Sequence, residues 1–298
     1  MPHAAIENSE FLKKIERELS QKNIPAARFE AERLVRHFGL MNRIDFFTGE
    51  RLLSLKARRA IKGALRARFE GAPLSHILKE ADFYGHKFFV SANTLIPRPE
   101  TELLVDEALR IVNAYYPAKS GAPRILDIGT GTGCVAVSLT LARTDCKMTA
   151  LDISQEALQV ARKNMDFHGL RDKIELVKSD LFSYFKETRG VFREKAGWDI
   201  LVSNPPYVPE DELRRLPREV RREPTIALDG GPLGLSVIEK ILKEAPFYLN
   251  EGGWLLMEIG AGQSDILRKR LGGNREYKNL KFIEDLAGIE RIMVLGRG

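Results

Sequence analysis

Cysteine and histidine are scarce in this chain of 298 residues, and their spacing is irregular. The only cysteines are Cys134 and Cys146, and the five histidines are scattered. This spacing matches no zinc or other metal site, so we predict that the protein uses no metal. Two cysteines are also too few for the disulfide framework of a small secreted domain, which excludes that class.

Long apolar runs are missing as well. No segment approaches the roughly 20 consecutive apolar residues that cross a bilayer, so we predict no membrane association. The start, MPHAAIENSEFLKK, has neither the apolar core of a signal peptide nor the Arg- and Ser-rich character of an import sequence. We therefore expect a cytoplasmic protein, and its net charge of +6 permits an acidic partner without requiring one.

What the first 80 residues do contain is apolar residues at helical spacing, which predicts a small all-α bundle over 1–80. Pro25 is expected in the first turn of a helix, and Gly39 and Gly71 where helices end. The three apolar stripes are Phe11, Ile15 and Leu19; Ala27, Leu34, Val35 and Phe38; and Ile61, Leu65 and Phe69.

The pattern then changes to aromatic and β-branched runs around Gly85, which predict a hairpin linker over 81–97. Pro97 and Pro99 form a rigid joint, and we place the domain boundary near it. A helix is expected to follow from Glu100 or Thr101. The second predicted domain covers 98–298.

Strands and helices alternate in this second domain, which predicts an α/β, doubly wound and mostly parallel sheet of seven strands. The last two strands are joined only by a short DLAGI turn, so we expect an antiparallel pair at the C-terminal sheet edge. The expected strands are 124–128, 148–151, 174–177, the Trp198 strand, 254–259, 280–284 and 291–295, with helices from Cys134, from Gln155 and over 235–249.

Glycines and polar residues follow four of these strands, at the edge where doubly wound sheets bind ligands. Asp152 can accept both ribose hydroxyls, and Asp180 beside Leu181 can hold an adenine, although an aspartate there caps a helix equally well. The glycines are spaced G-x-G-x-G with Cys134 next, which disfavours a dinucleotide. The four strand ends are 127–133, Asp152, 180–182 and 204–207.

The segment Asn204-Pro205-Pro206-Tyr207 breaks its strand with two rigid prolines. A side-chain amide nitrogen is a poor nucleophile, because its lone pair is delocalised into the carbonyl. The Asn204 oxygen and the Pro205 carbonyl can each accept one of its hydrogens, while Tyr207 stacks on its plane. Such positioning suits the methylation of a planar nitrogen.

The motifs DIGTGTG, ALDIS, SDLF and VSNPPY resemble those of class I methyltransferases that use S-adenosylmethionine. The segments LIPRPETELLV, REVRREPTIALDGG, LLMEIG and DLAGIERIMV are similar to those of the peptide chain release factor N(5)-glutamine methyltransferase family. The resemblance covers nearly the whole chain. One departure is Pro232-Leu233-Gly234-Leu235, because the family usually has an acidic residue before this Gly-Leu pair. The other is a longer stretch from Ser183 to Gly197.

The resemblance implies methylation of the glutamine in the Gly-Gly-Gln loop of class 1 release factors, with S-adenosylhomocysteine as the second product. It also implies substrate recognition by 1–80, a monomer, and no stable nucleic-acid partner. Its cofactor residues are Asp127, Gly129, Thr130, Gly131, Thr132, Gly133, Asp152, Asp180, Leu181 and Asn204. Its catalytic and substrate residues are Asn204, Pro205, Pro206 and Tyr207.

Three other functions stay open from the residues alone. An amino-group methyltransferase for adenine or guanine uses the same motif but must extrude a base, and no separate recognition module for that is evident. A glutamine methyltransferase of a ribosomal protein is the next alternative. A non-catalytic adaptor is disfavoured, since every cofactor and substrate motif is intact.

Basic residues concentrate in two segments, and such runs are usually solvated faces. Our hypothesis is that both grip acidic surfaces of the release factor. We also expect Arg98 and Glu100 to line the cleft. The two basic patches are Lys56, Arg58, Arg59, Lys62, Arg66 and Arg68, and Arg214, Arg215, Arg218, Arg221 and Arg222.

Overall fold

The computed structural model describes residues 2–48, 52–117, 121–187 and 197–298. Most of the long stretch 183–197 thus lies outside the described residues. The chain divides into two compact units, a helical unit of 1–79 with 218–222 and a sheet unit of 80–217 with 223–298. Within the described ranges, no helix combines the length and apolarity that crossing a bilayer requires.

Five helices are found among the described residues of the helical unit, and the predicted bundle is confirmed. All three apolar stripes meet in one core, where Ile15, Leu34 and Ile61 are fully buried. The helices are α1 Pro2–Gln21, α2 Ala27–Gly39, α3 Arg43–Thr48, α4 Leu55–Phe69 and α5 Leu74–Leu78.

The predicted helix ends are correct at the glycines and wrong at Pro25. Helix α2 ends at Gly39, and Gly71 follows α4 with φ of +93°. Pro25 lies before α2, because Ala26 adopts a left-handed conformation (φ 53°) that the helix cannot include. Helix α2 therefore begins only at Ala27.

Arg68 corrects the interpretation of the first basic patch as a wholly exposed face. Its side chain is buried, donates to both carboxylate oxygens of Glu30 (2.7 and 2.9 Å), and donates to Glu219 over 2.7 Å. In the second patch, Arg218 and Arg222 donate to the backbone carbonyls that end α4. Three of the predicted basic residues therefore hold the helical unit together.

A seven-stranded sheet organises the second unit, which confirms the predicted fold class. The strands are β3 Arg124–Ile128, β4 Lys147–Asp152, β5 Ile174–Lys178, β6 Trp198–Ser203, β7 Leu249–Glu258, β8 Tyr277–Glu284 and β9 Glu290–Arg297. Their order in the sheet is β5-β4-β3-β6-β7-β9-β8; the first five are parallel, and β9 runs antiparallel to both β7 and β8.

Helices cover both faces of the sheet, over two separate cores. Neighbouring strand residues alternate between them, as with Ile125 in one core and Leu126 in the other. This alternation follows from the two-residue period of a strand. The helices are α6 Glu102–Tyr115, α7 Cys134–Ala142, α8 Gln155–Phe167, α9 Ser183–Glu187, α10 Ser236–Glu244 and α11 Gln263–Leu271.

Strand β7 begins five residues earlier than the sequence pattern predicted, and α10 ends earlier. Leu249 pairs with Trp198 of β6, and Trp254 pairs with Ile200 after a register shift. Gly252 lies in this irregular segment with φ of +72°. The sequence pattern missed the start of β7 because residues 250–253 are polar or glycine and show no apolar alternation. This part of the strand is defined by its backbone pairing.

The hairpin is β1 Glu80–Phe83 and β2 His86–Phe89, joined at Tyr84 and Gly85. Phe83 and Phe88 contribute to one core of the sheet unit. On α8, the Asn164 side chain binds β2, accepting from Phe89 N (2.7 Å) and donating to Phe89 O (3.0 Å). The predicted hairpin is therefore confirmed, and it is fastened to the sheet unit by an amide that mimics a strand.

Candidate active site

A cavity of about 340 Å³ lies at the carboxyl ends of the central parallel strands. That volume is within the usual range for small-molecule sites. Ten sequence-predicted residues line it: Asp127, Gly129, Thr130, Gly131, Thr132, Asp152, Asp180, Leu181, Asn204 and Pro206. Among the described residues, Gly133, Pro205 and Tyr207 are predicted site residues that do not line the cavity.

The glycine-rich turn between β3 and α7 takes its shape from three residues with positive φ. Gly129, Gly131 and Gly133 have φ of +75°, +56° and +79°. Such values favour glycine, since a side chain would clash with the backbone. Gly133 N-caps α7, and a Cβ there would press on Ala161 at 3.2 Å. The turn thus presents bare backbone to the cavity.

Two aspartates flank this turn. Asp127 is buried and accepts from the Thr130 hydroxyl over 2.6 Å, and burial raises the pKa of Asp127 to about 7. Asp152 accepts the backbone N–H groups of Gly131 (2.8 Å) and Ser154 (2.9 Å). Burial also raises the pKa of Asp152, against the lowering effect of those hydrogen bonds. Both carboxyl groups therefore lie where a cationic or hydroxylated ligand can meet them.

The third strand end places Asp180 and Leu181 at the cavity. Asp180 is exposed, and it contacts α9 through its backbone, whose N–H donates to the Ser183 hydroxyl over 3.1 Å. Leu181 has φ of 48° and packs against the core of the sheet unit that contains Leu126. The alternative role of Asp180 as a side-chain helix cap has no support in these contacts.

The fourth strand end carries Asn204 and Tyr207. The Asn204 Nδ2 atom donates to the Thr101 hydroxyl over 3.1 Å, and the Tyr207 hydroxyl donates to Glu258 over 3.0 Å. Burial raises the pKa of Tyr207, and the neighbouring Glu258 adds to the rise. Tyr207 is therefore a neutral phenol at physiological pH.

The segment 232–235, which departs from the family pattern, packs against the backbone of Tyr207. Gly234 has φ of +68°, and a Cβ there would overlap the Tyr207 carbonyl. That carbonyl also accepts from Gln263 Nε2 over 2.9 Å. Despite the departure in 232–235, Gly234 therefore keeps a close contact with the backbone of Tyr207.

Several lining residues were not singled out by sequence reasoning. Thr101 lies within the LIPRPETELLV motif, and the similarity of this motif to the family was the signal that could have identified it as a site residue. The others include Asn93, Thr94, Leu95, Pro97, 224–227, Asp229 and Lys240.

Arg98 and Glu100, expected in the cleft, are not among the described residues that line the cavity. Arg98 instead forms an ion pair with the buried Glu223, whose other oxygen accepts from Ile96 N over 3.0 Å. Glu223 thereby links the joint to the lining segment 224–227, which follows it directly in the chain.

Comparison with known proteins agrees with this geometry. A profile of the methyltransferase small domain matches residues 104–216, and one of the PrmC N-terminal domain matches 10–78. The release factor glutamine methyltransferase of Chlorobaculum tepidum is 38% identical over 276 residues, covering 91% of each chain. The chain belongs to the release factor glutamine methyltransferase family.

Other members of the family are similar over comparable lengths. The enzyme of Rhodopirellula baltica is 36% identical, covering 92% of this chain and 90% of its own. The enzyme of Neisseria gonorrhoeae is 38% identical, covering 89% of this chain and 92% of its own. The relationship thus extends across both units.

Solved structures support the fold alone. The hMettl16 catalytic domain, in complex with a 3'UTR hairpin, matches with a TM-score of 0.56 at 16% identity, covering 78% of this chain and 81% of that one. The human methyltransferase 10 domain containing protein matches with a TM-score of 0.52 at 18% identity, covering 78% and 96%. Both are methyltransferase folds, as expected for this family.

Proposed function

We propose that this protein methylates the side-chain amide nitrogen of the glutamine in the Gly-Gly-Gln motif of class 1 peptide chain release factors, with S-adenosylmethionine as methyl donor. The names of its relatives supply the substrate. The observation that carries the chemistry is the Asn204 amide, whose NH₂ group is held by Thr101 so that its oxygen is left for a ligand. Asn204 lines the same cavity as the glycine-rich turn.

The cavity fits S-adenosylmethionine by its donor set. This ligand has two positive charges near its methionine end, where Asp127 supplies a buried carboxyl group, and two ribose hydroxyls that Asp152 can accept. The backbone of 129–132 approaches without side-chain bulk, and Ile153, Leu181 and Val237 supply apolar surface for a purine. Within the described residues, no three His, Cys, Asp or Glu side chains are grouped to hold a metal, and our proposal uses none.

When bound, S-adenosylmethionine supplies a methyl group on a positively charged sulfur; the N–C bond forms as the S–C bond breaks, and the bonding electrons return to sulfur to give S-adenosylhomocysteine. The methylated amide nitrogen then carries a positive charge, and it releases one proton to solvent to give the neutral N-methyl amide. The protein's task is to hold the nitrogen with its lone pair toward the methyl group.

Asn204 and Pro205 perform this task in our proposal. The Asn204 oxygen accepts one substrate N–H, and the Pro205 carbonyl accepts the other. Two such acceptors draw density toward nitrogen and oppose free rotation of the NH₂ group. Pro206 fixes the peptide that carries the Pro205 carbonyl, since proline restricts the residue before it. The Tyr207 ring sets the plane of the substrate amide.

The remaining proposals concern the partner and setting. Residues 1–80 recognise the release factor, assisted by the exposed members of the basic patches, and the protein acts as a cytoplasmic monomer without membrane or stable nucleic-acid partners. The hairpin over 81–97 and the methyltransferase domain over 98–298 complete the proposed division. Nucleic-acid bases and ribosomal proteins are not favoured as substrates, because the relatives are named for release factor glutamine.

Transfer of a labelled methyl group from S-adenosylmethionine to a purified release factor tests the proposal. The matched substrates are the same factor with its Gly-Gly-Gln glutamine replaced, a ribosomal protein mixture, DNA and RNA. We expect label only on the intact factor. Label on the glutamine-replaced factor, or on another substrate alone, would contradict it.

A further inference from the structure

Glu258 is a buried carboxylate that contacts two side chains of the active site from one position. It is the last residue of β7, beside the end of β6, and only 1% of it is exposed. Its Oε2 atom accepts from the Thr101 hydroxyl over 2.6 Å, and its Oε1 atom accepts from the Tyr207 hydroxyl over 3.0 Å. Both carboxylate oxygens are therefore used inside the protein.

The hydrogen count at Thr101 decides which way Asn204 faces. A threonine hydroxyl has a single hydrogen, and the 2.6 Å contact uses it when Glu258 is ionised. Burial raises the pKa of Glu258, and the hydrogen bonds from Thr101 and Tyr207 act against that rise by stabilising the carboxylate. The Thr101 oxygen can then only accept, and it accepts from Asn204 Nδ2 over 3.1 Å. The amide of Asn204 is thus turned with its NH₂ group toward Thr101 and its oxygen away.

We propose that Glu258 is a positioning residue of the methyl-transfer reaction, which orients Asn204 through Thr101 and fixes Tyr207 directly. This role rests on the proposed function. Among the described residues, Glu258 is not part of the cavity lining, so it acts through its neighbours. An acceptor pointing at the substrate nitrogen requires that Thr101 not donate to Asn204, and the carboxylate secures this.

The carboxylate is specifically required, because it accepts two hydrogen bonds and donates none. A carboxamide of the same shape accepts at its oxygen but must donate from its NH₂ group. If that group faces Thr101, the threonine hydrogen is released toward the Asn204 oxygen and favours the opposite amide orientation. If it faces Tyr207, the ring loses its acceptor. Either arrangement disturbs the motif.

The first test compares wild-type protein with Glu258→Gln in single-turnover and steady-state methylation of a release factor. We expect kcat to fall about 30- to 100-fold, as when a positioning contact is lost. The KM for the factor and the Kd for S-adenosylmethionine should stay within about threefold, because no binding contact is removed. A kcat within threefold of wild type, or a loss confined to KM or Kd, would overturn the role.

Thr101 supplies a second test that does not depend on the folding of Glu258→Gln. Thr101→Val keeps the side-chain shape without the hydroxyl, whereas Thr101→Ser keeps the hydroxyl. We expect Ser to retain at least tenfold more kcat than Val, and equal losses would contradict the relay. The double variant Glu258→Gln, Thr101→Val should have a kcat only slightly below that of the worse single variant, because both changes break the same relay. A fall in kcat equal to the product of the two single falls would show that the residues act independently.

Tyr277→Phe is the control, since it removes a buried hydroxyl that donates to Leu242 O over 2.7 Å in the same unit, away from the cavity. Tyr277→Phe should leave kcat unchanged. A fall in kcat equal to that of Glu258→Gln would show that losing any buried hydrogen bond of this unit lowers activity, and would contradict a specific role of Glu258. Failure of wild-type protein to methylate the factor would overturn the proposed function itself. An active wild type beside an equally active Glu258→Gln would overturn this role alone.

Discussion

The Nδ2 atom of Asn204 and the Oγ1 atom of Thr101 lie 3.1 Å apart, although the residues are 103 positions apart in sequence. The first belongs to the turn after β6, and the second ends the 3₁₀ turn Pro99–Thr101 that precedes α6. The contact therefore links the joint before α6 to the proposed catalytic residue Asn204.

Replacing Asn204 by alanine should lower turnover about 10²- to 10³-fold, because one oriented hydrogen-bond group is lost at the reacting nitrogen. Cofactor affinity should stay within a few-fold. Asn250→Ala is the matched control, since that amide donates to Asp199 (2.7 Å) and Gly197 O (3.1 Å) away from the cavity. Steady-state kinetics measures the turnover of the two variants, and titration measures their affinity for S-adenosylmethionine. Undiminished turnover in Asn204→Ala would refute the proposed catalytic role of Asn204.

Gly131→Ala should lose about 1–2 kcal/mol of stability, since alanine is strained at φ of +56°. It should also weaken S-adenosylmethionine binding at least tenfold, because the added methyl group enters open space at the lining. Gly169→Ala shares the backbone strain (φ +69°) but lies after α8, away from the lining. Calorimetry should find weakened binding only in Gly131→Ala; equal affinities would be the contrary result.

Asp127 should make stability depend on pH. Its folded pKa of about 7 exceeds the ordinary 3.8, so the folded state holds the proton more tightly between these values. Stability contributed by this group therefore falls as pH rises from about 4 to 7. Asp127→Asn does not titrate, so its stability relative to wild type should increase by roughly 2–4 kcal/mol between pH 4 and 8. Urea unfolding at both pH values measures it, and a constant difference would disprove the assignment.

Arg68→Met should destabilise the helical unit by about 3–5 kcal/mol, because it leaves the Glu30 carboxylate buried without its cation. Arg66→Met, two residues away on the exposed face of α4, should cost less than about 0.5 kcal/mol. Chemical unfolding followed by a probe in residues 1–79 compares them. Similar losses would mean that the buried pair adds nothing.

Reversing the charge of Arg59 and Lys62 should raise the KM for the release factor about three- to tenfold without changing kcat, if this exposed face of α4 attracts an acidic partner surface. The effect should weaken at high salt. Reversing Arg275 and Lys278, exposed in the sheet unit, alters net charge equally. Equal increases in both variants would indicate a net-charge effect rather than a docking face.

Much of the fold and cavity followed from local patterns. Alternating strands and helices determine a parallel sheet, and the carboxyl ends of such strands meet at one edge. For that reason Gly131, Asp152 and Asn204, chosen only because each follows a strand, line the same cavity. The extended N-terminus of β7 was missed because polar residues carry no strand periodicity.

The sequence by itself determined which strand ends meet at the cavity, since chain connectivity and strand direction place them at one edge of the sheet. Only the tertiary structure decided what stands behind them: Thr101 beneath Asn204, Glu258 beneath both Thr101 and Tyr207, and Arg68 buried rather than exposed. These contacts join residues far apart in the chain. They depend on side-chain packing between elements, which no local pattern of residues encodes.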